Sequence, residues 1–126
     1  MNLICNELKT KKVPCSLTAL NLSSCSLKAR DVLLLAESLR HNKSLIKLDL
    51  SANGLDSKCG GYIANVLSVN FSLGVLSLAD NELLDEFIDT LVASLKKNVT
   101  LFECDLTGNP FTTTGANTLF NAVRTN

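Results

Sequence analysis

Aromatic and histidine side chains are scarce in this sequence. Its 126 residues include no tryptophan, one tyrosine and one histidine. Because binding hot spots favour tryptophan, tyrosine and arginine, a tight interface on this chain would need other residues as anchors. The single histidine, His41, falls at the end of a predicted helix, and no carboxylate and nucleophile accompany it in the pattern. No phosphate-cradling glycine loop is present either, so we predict that the chain is not an enzyme.

Net charge and long apolar runs are also absent. Twelve basic and twelve acidic side chains cancel, so no overall field draws the chain to nucleic acid. The longest apolar run, Val32 to Ala36, is far shorter than the ~20 residues that span a bilayer. No signal peptide is visible at residues 1–10. We predict no nucleic-acid partner, no membrane partner and a cytoplasmic location.

The cysteines lack the spacing of a metal site or a disulfide framework. They form an odd set without a Cys-x-x-Cys pair, namely Cys5, Cys15, Cys25, Cys59 and Cys104. Structural zinc sites and secreted disulfide scaffolds both rely on paired cysteines. The sequence therefore predicts small buried thiols in a reducing compartment, with no metal and no cofactor.

What the sequence does contain is a repeat with an interval of 28 residues. The skeleton L-x-x-L-x-L-x-x-N-x-L is clearest from Leu73 to Leu83, and its opening leucines are Leu17, Leu45, Leu73 and Leu101. In the first half of each repeat, Leu-x-Leu alternation indicates a short strand. In the second half, apolar residues four apart, such as Leu91 and Leu95, indicate a helix. Successive strands must then pair in parallel, with the helices on the opposite side.

Polar residues recur at the joints between strands and helices. One repeat position is predicted to supply helix N-caps, at Ser57, Asp85 and Thr113. Another is predicted to stop each helix in the left-handed conformation, at Asn42, Asn70, Asn98 and Asn126. A third is predicted to form a ladder of side-chain hydrogen bonds between turns, at Asn53, Asn81 and Asn109, with Cys25 as a weaker rung. Because of Gly60 and Gly61, we expect the second helix to be the weakest of the four.

This pattern resembles that of leucine-rich repeat proteins of the ribonuclease-inhibitor type, which share the L-x-x-L-x-L-x-x-[N/C]-x-L skeleton with a full helix per repeat. It departs from them at Cys104, where a leucine is usual, and in its small number of repeats. The resemblance implies an α/β fold, a right-handed solenoid with short parallel strands on the concave side and helices on the convex side. The predicted organisation is an N-terminal cap, residues 1–16, and four repeats, residues 17–44, 45–72, 73–100 and 101–126.

Members of that family bind other proteins, so the resemblance implies a protein–protein interaction module or scaffold that uses its concave strand face and adjacent loops. Equivalent positions in a parallel stack lie about 4.8 Å apart, which places the outward strand residues in rows. The predicted partner-binding residues are Lys47, Asp49, Val75, Ser77, Asp80, Glu82, Glu103 and Asp105. Phe102 is either an aromatic anchor or, as we expect, a side chain packed under the C-terminal edge.

Charge separates along the predicted solenoid. Residues 1–58 contain nine basic and five acidic side chains, whereas residues 59–126 contain three basic and seven acidic ones. The acidic half would attract a basic protein partner at low salt; the alternative is a solvated surface with no binding role. We predict a monomer, with head-to-tail contact between opposite charges as the competing arrangement.

Two further interpretations belong to other classes. One relative with this repeat type activates a GTPase, a role that needs an exposed, loop-borne catalytic group. Arg30, predicted to lie in the loop before the first helix, is the candidate. Glycosylation is the other interpretation, because Asn-x-Ser/Thr triplets begin at Asn21, Asn42, Asn70 and Asn98. Since three of these coincide with the predicted helix stops, a structural role is the simpler explanation.

Overall fold

The leucine pattern produces four strand–helix units. The computed structural model describes residues 17–125, so the predicted cap, residues 1–16, and the predicted helix stop at Asn126 lie outside the described residues. The strands are β1 (Ala19–Asn21), β2 (Lys47–Asp49), β3 (Val75–Ser77) and β4 (Glu103–Asp105). The helices are α1 (Ala29–His41), α2 (Ser57–Val66), α3 (Asp85–Leu95) and α4 (Thr113–Thr125).

The strands form one parallel sheet in their order along the chain. The register pairs Leu20 with Leu48, Leu48 with Leu76, and Leu76 with Cys104, so the sequence interval is also the offset between neighbouring strands. The helices pack against one another in the same order. The fold is the predicted right-handed α/β solenoid, with strands on the concave side and helices on the convex side. Within residues 17–125, none of the helices combines the length and apolar character that crossing a membrane requires.

The core is most complete in the two middle units. Leu48 and Leu76 are almost fully buried, whereas their counterparts Leu20 and Cys104 in the end units are only partly buried. A middle unit has an apolar neighbour on each side, but an end unit has only one within the described residues. Because burying a leucine contributes ~1.5–3 kcal/mol, contacts between neighbouring units contribute to the stability of the stack along with contacts within each unit.

An asparagine ladder follows the ends of the strands, as predicted. The side-chain oxygen of Asn81 accepts the backbone N–H groups of Asn53 and Leu55, both at 3.0 Å. Its amide nitrogen donates to the carbonyl oxygens of Leu50 (3.2 Å) and Leu78 (3.0 Å). Each of the first three turns therefore relies on a side chain of the next unit to satisfy backbone groups that have no partner in its own unit.

A second asparagine ladder runs along the helix-to-strand loops. Asn70 donates its amide to the carbonyl oxygens of Leu39 (2.8 Å) and Asn42 (3.3 Å). Its side-chain oxygen accepts the N–H groups of Ser72 (3.1 Å) and Leu73 (2.9 Å). The asparagine is buried, and this ladder pins each loop to the unit before it.

The prediction that these asparagines adopt the left-handed conformation is wrong. Asn42 follows α1 in an extended conformation, with φ −79° and ψ 138°. Asn70 and Asn98 are not among the residues with positive φ either. They act instead through their side chains, since Asn98 donates to the carbonyl oxygen of Leu67 at the end of α2 (2.8 Å). Asn70 and Asn98 thus each cap the helix of the preceding unit.

The predicted N-caps are displaced by one residue, because the first helical residues of α2, α3 and α4 are Ser57, Asp85 and Thr113. The N-cap of α2 is Asp56, whose carboxylate accepts the N–H of Cys59 at 2.9 Å. That bond is the main reason that the pKa of Asp56 lies below its ordinary value. Ser57 and Asp85 instead accept backbone N–H groups of the next unit, from Leu84 and Thr112, both at 2.9 Å.

Replacing Asn70 by alanine tests the second ladder. The change leaves buried backbone donors and acceptors without a partner. Each unpaired group destabilises the folded state by about 1–3 kcal/mol. We expect the free energy of unfolding, measured by urea titration, to fall by ~3 kcal/mol or more. The matched control is Asn65→Ala at an exposed position of α2, expected to change it by less than ~0.5 kcal/mol. Equal effects of the two changes would contradict a stabilising ladder.

The two glycines of α2 test whether this helix is weak. A β-carbon at Gly60 would lie 2.5 Å from Cδ2 of Leu83 and 3.0 Å from Cδ2 of Phe87, whereas one at Gly61 would meet nothing within 4 Å. Gly61→Ala is therefore expected to raise the free energy of unfolding by about 1 kcal/mol. Gly60→Ala is expected to lower it by ~1–3 kcal/mol through overpacking. A gain from both variants in urea titration would argue against close packing of α2 on α3.

Candidate binding surface

The register of the sheet brings six of the predicted binding residues together in two rows. The first row is Lys47, Val75 and Glu103, and the second is Asp49, Ser77 and Asp105. Neighbours within a row belong to adjacent parallel strands, about 4.8 Å apart. Lys47 and Glu103 are exposed, and Val75 is half-buried between them. The rows form one continuous strand face.

The acidic residues of the second row are engaged by their own turns. The Asp105 carboxylate accepts the backbone N–H (3.0 Å) and the hydroxyl (2.8 Å) of Thr107. Asp49 accepts the same two groups of Ser51, at 2.9 Å and 2.6 Å. The N–H bond from Thr107 is the main reason that the pKa of Asp105 lies below its ordinary value. The Asp105 carboxylate therefore stays ionised near neutral pH, and part of the hydrogen-bonding capacity of both carboxylates serves the fold.

The other two predicted residues, Asp80 and Glu82, lie in the loop after β3. Asp80 has a left-handed backbone, with φ 55°, at the repeat position where Gly108 has φ 74°. Its carboxylate lies so close to Gly108 that an added β-carbon there would overlap it. Asp80, Glu82 and Glu103 are exposed, and none forms an ion pair with another described residue. These three carboxylates are available to a partner.

Phe102 is exposed rather than packed under the C-terminal edge, with 76% of its surface accessible. The expectation of packing is wrong because Gly74, in the preceding unit, has no side chain, and the Phe102 ring lies over it on the outside of the sheet. A β-carbon at Gly74 would lie 2.6 Å from Cε1 of the Phe102 ring. Beside the ring, an open groove of about 640 Å³ is lined by residues that include Leu95 and Leu119.

The residues considered for catalysis are dispersed. Arg30 is the second residue of α1, so its predicted loop placement, which the GTPase-activating hypothesis required, is wrong: the helix begins at Ala29. His41 ends α1, with Nε2 at 3.6 Å from Oε1 of Glu37. Across residues 17–125, no group of three or more histidine, cysteine, aspartate or glutamate side chains could hold a metal ion.

The described asparagines of the second ladder are poor glycosylation acceptors. Asn42 and Asn70 are buried, and Asn98 is partly buried with its amide nitrogen donating to two backbone carbonyls. A glycan needs an accessible amide nitrogen at the surface. The structural explanation for these three triplets is therefore supported, whereas Asn21 is exposed.

The three described cysteines differ in environment. Cys59 is buried and Cys104 is partly buried. Cys25 is exposed, contrary to the prediction of buried thiols, whereas Asn53 and Asn81 at the same repeat position of the two middle units are buried. The Cys25 thiol donates to a backbone carbonyl of its own turn at 3.4 Å and reaches no other unit. Burial raises the pKa of the Cys104 thiol to about 12. Cys5 and Cys15 lie outside the described residues.

Comparison with known proteins agrees with this architecture. Residues 13–36 match the family model described as Leucine Rich repeat. NACHT, LRR and PYD domains-containing protein 13 of Homo sapiens is 35% identical over 109 residues, which is 86% of this chain and 10% of that protein. The chain is a leucine-rich repeat protein. A Protein phosphatase 1 regulatory subunit 37 homolog of Caenorhabditis elegans is 31% identical over 81 residues, 64% of this chain and 9% of that relative.

This leucine-rich repeat protein spans about a tenth of the length of those two relatives. Its full helix in every unit is typical of ribonuclease-inhibitor-like repeats. Solved structures share the fold at low identity. The tropomodulin C-terminal domain of Caenorhabditis elegans has a TM-score of 0.85 and 16% identity, covering 97% of this chain and 74% of that one. Leiomodin-1 Actin-Binding Site 2 has a TM-score of 0.72 and 17% identity, covering 96% and 88%.

Thiol reactivity tests the cysteine environments of this leucine-rich repeat protein. The measurement uses the Cys5→Ser/Cys15→Ser variant and an aromatic disulfide reagent at pH 8. A thiol with a pKa of about 12, as for Cys104, is only about 0.01% thiolate at that pH. We expect Cys25 to react at least ~100-fold faster than Cys59 and Cys104, with all three reacting quickly in denaturant. Equal rates in the folded protein would contradict these environments.

Proposed function

We propose that the chain is a protein–protein interaction module that binds a basic protein partner through its concave strand face and the loop after β3. A relative is named as a phosphatase regulatory subunit, and a structure with the same fold is titled an actin-binding site. Those names describe assembly with other proteins, and they support a binding role of the same general kind here. The described cysteines form no disulfides, which supports a reducing, cytoplasmic setting.

The observation that carries this proposal is the group of unpaired carboxylates on the strand side. Asp80, Glu82 and Glu103 are exposed and have no ion-pair partner within residues 17–125. They lie on backbone that the sheet and the first asparagine ladder hold in place, so little conformational entropy is lost on binding. Like charges held in one region raise the local concentration of a positively charged partner and speed its association.

Lys47 and Val75 give this surface its specificity. Lys47 interrupts the acidic surface at its N-terminal side, and Val75 is a half-buried apolar position in the same row. A fitting partner therefore presents lysine or arginine opposite the last two units and a small apolar contact beside them. Asp49, Ser77 and Asp105 border the surface but serve mainly the turns.

Charge reversal tests the proposal. In a quantitative pull-down from cell extract, the Glu82→Lys/Glu103→Lys variant is expected to capture at least about tenfold less of its partners, since attraction becomes repulsion. The matched control is Glu86→Lys/Asp89→Lys, which makes the same change in net charge at exposed positions of α3. Both variants are assayed at a concentration at which light scattering shows a monomer, the proposed oligomeric state.

The control is expected to retain the partners of the unaltered chain. If the two variants capture the same proteins, the concave surface is not the binding site. If both lose the same proteins, net charge rather than this surface determines capture. Circular dichroism of both variants verifies that they are folded.

A further inference from the structure

A second exposed surface lies on the helix-to-strand loops, outside the concave rows. It consists of Ile46, Phe71, Val99 and Phe102, here called the apolar edge, whose exposed fractions are 41%, 56%, 85% and 76%. Single exposed apolar residues are ordinary on a protein surface. Several large ones on adjacent units form a patch, and contiguous apolar patches mark interaction sites.

Backbone hydrogen bonds place these side chains next to one another. The N–H of Phe102 donates to the Gly74 carbonyl (3.0 Å), and the N–H of Gly74 donates to the Ile46 carbonyl (2.8 Å). Ile46, Gly74 and Phe102 therefore form one row, in which the ring of Phe102 lies over the glycine. The missing side chain of Gly74 allows the ring to lie against the sheet.

The second asparagine ladder fixes the other half of the patch. Asn98 donates its amide to the carbonyl oxygen of Asn70 at 3.1 Å, and the residues that follow these two asparagines are Val99 and Phe71. The two apolar residues are thus neighbours on loops whose backbone is pinned from one unit to the next. A surface held in this way loses little entropy when a partner binds.

The exposure of the apolar edge does not depend on its position at one end of the stack. Ile46 and Phe71 belong to the second unit, which has a described neighbour on each side. They remain about half exposed nonetheless. Ile46 and Phe71 therefore face outward from the loops themselves, so the exposure of this half of the patch does not come from an open end of the stack.

The charge around the apolar edge is opposite to that of the concave face. Lys43, Lys96 and Lys97 are exposed, and none forms an ion pair with any residue from 17 to 125. Lys43 occupies the same repeat position as Phe71 and Val99, so the three continue one row. Unpaired lysines beside apolar anchors favour a ligand that has carboxylates flanking its apolar groups.

We propose that the apolar edge binds a segment of a protein whose apolar side chains are flanked by aspartate or glutamate. An anionic bilayer would also suit lysines and phenylalanines, but a bilayer is a broad plane and would meet Glu103 and the acidic third and fourth units. A short segment contacts the patch without reaching them. This site differs from the proposed concave site in surface and in the charge of its ligand, and the two proposals can fail separately.

The test uses random peptides displayed on phage and selected on the whole chain. We expect recovered peptides to combine aromatic or aliphatic residues with aspartate and glutamate. Their affinity, measured by fluorescence anisotropy, is expected to fall at least about tenfold in Phe71→Ser and in Val99→Asp. Lys96→Glu/Lys97→Glu is expected to weaken it at least about threefold, with the loss growing smaller as salt is added.

Matched controls lie elsewhere on the molecule. Leu33→Ser, at a half-exposed leucine of α1, and Lys58→Glu, at an exposed lysine of α2, are expected to leave the affinity within about twofold. The proposal is overturned if no peptide is recovered, or if the recovered peptides bind the apolar-edge variants normally. It is also overturned if vesicles of phosphatidylcholine and phosphatidylserine bind the chain and lose binding in Phe71→Ser while the peptides do not. Val99→Asp keeps the test valid if a phenylalanine variant fails to fold.

Discussion

Each turn in the middle of this molecule depends on a hydrogen bond from a neighbouring unit. Packed leucines hold the units together, but apolar contact has no direction and would tolerate a shifted neighbour. Asn70 and Asn81 do not tolerate such a shift, because each side chain must reach backbone groups in its own unit and in an adjacent one. Leaving a buried backbone group without a partner lowers the stability of the fold by about 1–3 kcal/mol. The two ladders therefore enforce the equal length of the units.

That constraint explains which parts of the fold were predictable. The parallel sheet, its register and the ladder at Asn53 and Asn81 follow from the fixed interval, because equal units place equal residues side by side. The helix joints were less predictable. Asp56 and Ser57 are both good capping residues, and only the backbone conformation decides which one caps α2. Asn70 was assigned a backbone role because its side-chain partners lie mostly in another unit.

The candidate site divides in the same way. The rows that contain Lys47, Val75 and Glu103 could be read from the interval, since they depend only on register. The engagement of Asp105 by Thr107 could not, because it depends on side-chain direction within a turn. The exposure of Phe102 could not be predicted either, since it depends on the absence of a side chain at Gly74 in another repeat. A glycine in the row before an aromatic residue was the available signal.

The direction of one helix, α3, matches the opposite charges of the two proposed surfaces. Three of the four helices, α1, α2 and α3, connect parallel strands, so their N-terminal ends lie along one edge of the solenoid and their C-terminal ends along the other. Acidic residues are stabilised at N-termini and basic residues near C-termini, and α3 follows this rule with Asp85 and Glu86 in its first turn and Lys96 just after its end. At α3, the charge separation across the solenoid therefore agrees with the direction of the helix. The exposed acidic loop and the apolar edge lie at opposite ends of the strands, which suits the opposite charges that we propose for their two partners, although the two proposed sites adjoin where Glu103 follows Phe102.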